Sequence, residues 1–231
     1  PPAGSNFVLS STEGNVNNPN LDPQQTETIE LGTKWDVLNQ KLSLAASICS
    51  TTNDKEVTQD ATSGEYFQQG KTKIDGIELS ALGQLTAHWQ INAGIAFMDV
   101  QPENKVSRNA TTGAVTTTTG VRWSPDLTAT VWSDYTWNQF KFGAGVRYVA
   151  EQDRVVSVSS VPATTPNNMP SIPDYVVADA AVSYTVNKQA TVALNLYNLF
   201  DEEYISTLNN SGARMTLGQP LSAKLSVSYK F

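Results

Sequence analysis

The 231-residue chain has little of what most protein chemistry uses. One cysteine, Cys49, excludes an internal disulfide and a cysteine-based zinc site. One histidine, His88, leaves almost nothing for a catalytic triad or an imidazole-bound metal. No phosphate-binding glycine loop and no metal-ligand spacing occurs. No apolar run approaches the roughly 20 residues of a membrane-spanning helix. No basic-then-apolar leader is present, so any export signal is expected outside this stretch. Cations are the scarcer charge, 15 Lys and Arg against 22 Asp and Glu, which argues against a nucleic-acid partner. Charged residues together make up only 16%, yet 39% are hydrophobic, enough for one large or two small domains and not the signature of disorder. Uncharged polar residues fill the remaining space.

What is present is alternation with a period of two. In the last segment Leu221, Ala223, Leu225, Val227, Tyr229 and Phe231 fall on one face, and Ser222, Lys224, Ser226, Ser228 and Lys230 on the other. Phe140, Phe142, Ala144, Val146 and Tyr148 likewise oppose Lys141, Gly143, Gly145, Arg147 and Val149. This pattern predicts about nine strands. They fall near 24–37, 41–53, 72–82, 87–101, 124–137, 139–152, 174–186, 190–200 and 217–231. Several exceed the usual 5–6 residues of a soluble sheet and suit the roughly 9–11 of a tilted membrane strand. Connections alternate between tight turns (38–40, 83–86, 138–139, 187–189) and long polar loops (1–23, 54–71, 102–123, 153–173, 201–216). A membrane barrel sorts its loops this way, whereas a sandwich has no reason to.

Aromatic residues fall at two levels. Trp35, Trp89, Trp137, Phe140, Tyr184, Tyr229 and Phe231 sit beside short turns or the chain end, and Phe97, Tyr148, Phe200 and Tyr204 near the long loops. Two aromatic belts flanking an apolar band are the girdles of a membrane barrel. Hydrocarbon cannot satisfy an open backbone edge, so such a sheet must close. The fold class predicted is therefore all-β, an antiparallel transmembrane β-barrel segment. The Thr-rich loop 111–119 reads as mobile surface.

Two segments carry a family likeness. "NPNLDPQQTETIELGTKWDVLNQKLSLAAS" (18–47) contains an Asn-Pro-x-Leu-x-Pro run, Asn18 to Pro23, before Glu30, Leu31, Gly32 and Lys34. "VALNLYNLFDEEY" (192–204) contains the box Asn198, Leu199, Phe200 and Asp201, followed by Tyr204. Together they resemble the barrel of TonB-dependent siderophore receptors. The terminal Val227, Tyr229 and Phe231 also resemble the insertion signal of outer-membrane proteins. The Leu-Ser-Leu strand after "KWDVLNQ" leans toward the catecholate branch. The resemblance implies the C-terminal part of a 22-stranded barrel, spanning residues 1–231. It implies uptake of ferric siderophores without catalysis and without a covalently bound cofactor. The implied partners are the plug and earlier strands of the same receptor, TonB, and outer-membrane lipid and lipopolysaccharide, with no nucleic acid. The signal peptide, TonB box and plug of the family are absent from this sequence, so a fragment is expected.

An anionic aromatic iron complex calls for arginine and for stacking rings. Candidates near the long-loop ends are Arg122, Trp123, Arg147 and Arg154, then Arg108 and Arg214. Arg147 is best placed, because parity aims it into the lumen, although a lumen arginine ordinarily pairs with a carboxylate. Parity also points Cys49 inward. Gly76 falls within a strand, where it would permit a bulge or a close neighbour contact. Asn198 and Asp201 read as ties between a strand end and its loop. A passive porin or other outer-membrane channel, and a soluble β-sandwich adhesin, are the competing readings.

Overall fold

A computed structural model describes residues 22–63, 66–121, 123–153, 157–160, 171–209 and 214–231. Sixteen strands form among the described residues. The long ones are β1 (Gln25–Val37), β2 (Leu42–Gln59), β3 (Tyr66–Gln84), β4 (Trp89–Glu103), β7 (Leu127–Trp137), β8 (Phe140–Val149), β12 (Tyr175–Thr185), β13 (Ala190–Tyr197) and β16 (Ser222–Tyr229). The short ones are β5 (Val106–Arg108), β6 (Val115–Thr118), β9 (Gln152–Asp153), β10 (Ser157–Ser159), β11 (Ser171–Ile172), β14 (Ile205–Leu208) and β15 (Met215–Leu217). The long strands make one nine-stranded sheet in chain order, every neighbour antiparallel, with β1 and β16 as its two edges. All nine strands expected from alternation are present, with ends moved by up to six residues, most at the facing ends of β2 and β3.

Register aligns the alternation of successive strands into two continuous faces. Leu31, Ile48, Ile77, Phe97 and Leu127 lie opposite one another in turn, as do Phe142, Val182, Leu194 and Leu225. Their side chains face outward into open space: Leu31 is 72% exposed and Leu225 69%. Among the described residues only Leu42, Ile172 and Val177 are buried apolar groups. A soluble sandwich would bury its apolar face against a second sheet. Here that face has no protein cover, so the soluble reading is set aside and a lipid-facing band remains.

The aromatic belt beside the short turns forms as expected. Phe140 packs on Phe142 and Tyr184 with centroids 5.8 and 4.7 Å apart, and Tyr229 on Phe231 at 5.2 Å. Polar handles are satisfied laterally: Trp89 Nε1 donates to Ser133 Oγ at 2.6 Å and Tyr184 OH to Gln139 at 2.9 Å. Such rings suit an interface that is apolar on one side and wet on the other.

Two expectations about the loop side are corrected. The Thr-rich stretch 111–119 is not a loop throughout: Val115–Thr118 is the middle strand of a β10-β6-β5 sheet. Backbone pairing with a segment some forty residues away overrides a composition that locally resembles coil. Likewise β2 and β3 run to 18 and 19 residues, well beyond a bilayer's needs, and project above it as a paired extension. That extension carries a buried carboxylate. Glu56 accepts from Asn53 Nδ2 at 2.9 Å, Thr72 Oγ1 at 2.8 Å and Lys105 Nζ at 2.8 Å. Beside it Thr58 Oγ1 both donates to the Val106 carbonyl at 3.2 Å and accepts from its N–H at 2.8 Å. The β5–β6–β10 sheet is thereby fixed to the wall.

Candidate functional site at the lumen mouth

Arg147 lies on the inward face of β8, opposite Thr130 of β7 and Val177 of β12. Gly145 and Gly143 precede it on the same face. The indole of Trp132 lies across both glycines: a Cβ at Gly143 would meet Trp132 Cζ2 at 2.6 Å, and one at Gly145 would overlap the ring. Trp132 is thus laid flat along the wall, leaving space in front of it. Nearby, Lys141 and Asp134 pair at 3.3 Å on the inward face.

The sheet's concave side encloses an open cavity of about 750 Å³. Arg147 lines one end, Glu30, Lys34 and Glu78 the other, and small side chains such as Ser80 and Thr130 lie between them. The family-motif residues Glu30, Gly32 and Lys34 therefore reach the lumen, and Leu31 faces lipid. Cys49 faces inward opposite Gly76, where an added Cβ would come 2.8 Å from its sulfur.

No carboxylate pairs with Arg147 among the described residues. Its partner is a phenol: Nη2 donates to Tyr204 OH at 3.4 Å. Tyr204 in turn stacks on Tyr175, centroids 4.4 Å apart. Tyr204 therefore belongs to the lumen mouth, which corrects its expected place in the lipid-side belt. Tyr175 shares the inward parity of β12, a signal that could have found it. Tyr204 lies outside regular structure, so no periodicity fixed its direction.

The box residues hold this arrangement. Asn198, with φ 50° and only 2% exposed, donates from Nδ2 to the carbonyls of Glu202 (2.8 Å) and Gln219 (2.9 Å). Its Oδ1 accepts from Glu202 N–H at 2.9 Å, and its own N–H donates to Asp179 at 2.8 Å. Asp201 Oδ1 accepts from Leu221 N–H at 2.8 Å, and Leu199 N–H donates to the Ala178 carbonyl at 2.7 Å. Phe200 points outward, 79% exposed. The Asn198 amide thus ties the 198–204 loop to the approach to β16, and its backbone N–H joins them to β12.

Trp123 lies among the loops rather than in the wall. It sits at φ 59°, a region that a bulky residue rarely adopts. Its backbone N–H donates to the Asp153 carbonyl at 3.1 Å, and its indole N–H to the Asn209 carbonyl at 3.2 Å. Its donors are therefore used in joining three loops. Arg108 lies in β5 within the loop sheet, and the exposed Arg214 N–H donates to Asn209 Oδ1 at 3.0 Å. Neither is joined to the Arg147 cluster by a described hydrogen bond. Arg122 and Arg154 lie outside the described residues, as does most of the Asn18–Pro23 run. Val227 and Tyr229 face outward on the edge strand β16, and Phe231 follows it.

Comparison with known proteins agrees with this architecture. A family model described as TonB dependent receptor-like, beta-barrel matches residues 1–199. The catecholate siderophore receptor Fiu of Escherichia coli (strain K12) is 34% identical over 235 residues, covering 100% of this chain and 29% of that protein. The probable TonB-dependent siderophore receptor PiuA of Acinetobacter baumannii is 33% identical over 224 residues, covering 94% of this chain and 28% of that protein. The closed-form crystal structure of the ferric-catecholate import receptor Fiu superimposes with a TM-score of 0.81 at 33% identity, covering 100% of this chain and 31% of that one. The chain therefore spans less than a third of the length of these relatives.

Proposed function

Because the chain belongs to the TonB-dependent receptor β-barrel family, we propose that it supplies barrel wall and extracellular loops to a receptor for active uptake of ferric siderophores, of catecholate type. The family consists of outer-membrane receptors and transporters. Residues 1–231 form the C-terminal part of a longer receptor on this reading. Earlier strands pair with the β1 and β16 edges, the plug fills the lumen, and TonB acts through the plug. Outer-membrane lipid and lipopolysaccharide meet the apolar band. The ferric siderophore is cargo; the wall performs no covalent step and holds no covalent cofactor.

The observation that carries the ligand reading is Arg147, a lumen guanidinium whose described partner is a neutral phenol. A carboxylate partner would neutralise it, whereas a phenol leaves its charge available to an anion. A ferric catecholate complex is such an anion. Among the five arginines singled out in the sequence, Arg147 is the ligand-facing cation. Trp123 supports the loops around it. The Glu30–Lys34 segment and the Asn198–Asp201 box are structural supports of the wall and mouth, and Val227, Tyr229 and Phe231 form the insertion signal.

The test is Arg147→Gln in the full-length receptor, with binding of iron(III) tris-catecholate followed by quenching of tryptophan fluorescence. About a tenfold loss of affinity is expected, in line with a lost charge-assisted contact. Unchanged affinity in a correctly assembled barrel would remove Arg147 from the site. Conductance to small solutes with no binding of iron complexes would favour the porin reading instead.

A further inference from the structure

Tyr204 is held more firmly than a ligand-stacking ring needs to be. One side stacks on Tyr175 with the planes 29° apart. Its Cδ1–Cε1–Cζ edge occupies the space a Cβ at Gly218 would take, so only glycine fits there. Gly218 N–H also donates to the Tyr204 carbonyl at 2.7 Å. The flanking residues Glu202 and Gln219 are both bonded to the single buried amide of Asn198. Tyr204 is thus clamped from its neighbours in sequence, from β12 and from Gly218 just after β15, with its hydroxyl directed at Arg147.

We propose that Tyr204 is a positioning residue, which orients the Arg147 guanidinium toward the ligand, and that the Asn198 box together with Gly218 is the platform that holds it. The inference rests on the reading of Arg147 as the ligand-facing cation. An arginine side chain free in a lumen loses considerable rotamer freedom when it engages a ligand. A fixed acceptor on one N–H bears part of that cost before the ligand arrives. The guanidinium carries five N–H donors, so one bond to a phenol leaves the others for an anion. Neutrality is the useful property of the phenol, because it fixes direction without cancelling charge. With its ring engaged by Tyr175 and Gly218, Tyr204 offers the ligand little surface for stacking.

A double-mutant cycle in the full-length receptor separates this role from a merely structural one. Affinity for iron(III) tris-catecholate is measured for the parent protein, Tyr204→Phe, Arg147→Gln and the double variant. Tyr204→Phe keeps the stack and removes only the acceptor, so assembly into the outer membrane is preserved. It is expected to weaken binding about three- to tenfold and to have no further effect once Arg147 is Gln. An equal loss in both backgrounds overturns the positioning role while leaving Arg147 in the site, and so does no loss in the parent. If Arg147→Gln itself leaves affinity unchanged, the ligand reading fails, and this inference with it. Gly218→Ala, which displaces the ring without touching the hydroxyl, should reproduce the pattern; a normal affinity in that variant also overturns the platform.

Discussion

Two braces hold the extracellular end of the sheet, and they are made of different chemistry. On the β12–β13–β16 side the centre is Asn198, an uncharged amide. On the β2–β3–β5 side it is Glu56, a carboxylate 7% exposed. An amide both donates and accepts, so it replaces backbone partners one for one and buries no charge. A carboxylate only accepts, so Glu56 draws donors from β2, from β3 and from the residue before β5. The amide therefore fixes a tight local geometry, the one that presents Tyr204. The carboxylate gathers distant segments into one body, and does so through an ion pair that salt can weaken. Precision of a site and union of loops thus call for different groups.

Asn198→Leu tests the first brace and should have the largest effect. It leaves two carbonyls and one N–H without their partner, at about 2–4 kcal/mol. Thermal unfolding of the barrel, read by heat-modifiable mobility, should shift down, and iron-complex affinity should fall with it. A variant with parental stability would mean water replaces the amide.

Glu56→Ala should cost less, about 1–2 kcal/mol, because Lys105 is 28% exposed and rehydrates when released. Hydrogen exchange should rise at 106–108 and 115–118 and stay unchanged at 202–204. Coordinated opening of both regions would show one brace where two are described. High salt should reproduce part of the Glu56 effect and little of the Asn198 effect.

Thr58→Val removes two bonds to the Val106 backbone and should cost about 1 kcal/mol. Its loss should be smaller when Glu56 is already Ala, since both act on the same loop. Strict additivity would mean that they hold it independently.

The smallest effect is a pH response at the tip of the β2–β3 extension. Asp60 accepts from the N–H groups of Ser63 and Thr62 at 2.6 and 2.8 Å, which hold its carboxyl below the ordinary range. A depressed carboxyl stabilises the turn above its unfolded value and ceases to do so as pH falls through its folded one. Protection of the Thr62 and Ser63 amides, corrected for intrinsic exchange, should therefore drop only below about pH 4. A drop near neutrality would assign the turn to another group.

The wall and the braces differed in how far the sequence revealed them. Alternation marked all nine wall strands and placed Arg147 and Cys49 inward, because side-chain direction in a strand depends only on parity. Parity failed above the membrane. Between Asn53 and Thr58 the register shifts twice and Lys55 adopts φ 58°, so Glu56 lies where simple alternation no longer applies. The predicted strand stopped at 53, because polar residues on both faces give no contrast to follow. Asn198 was legible as a tie since its box is local, though its reach to Gln219 was not.

By itself, then, the sequence determined the nine long wall strands, their two faces, the level of the turn-side aromatic belt and the family likeness, all carried by short-range periodicity or contiguous motifs. Only the tertiary structure decided what those strands hold together. Glu56 meets Lys105 across 49 positions, Arg147 meets Tyr204 across 57, and Trp123 meets Asn209 across 86. Such contacts depend on which loops the sheet register brings side by side, and no local pattern encodes that.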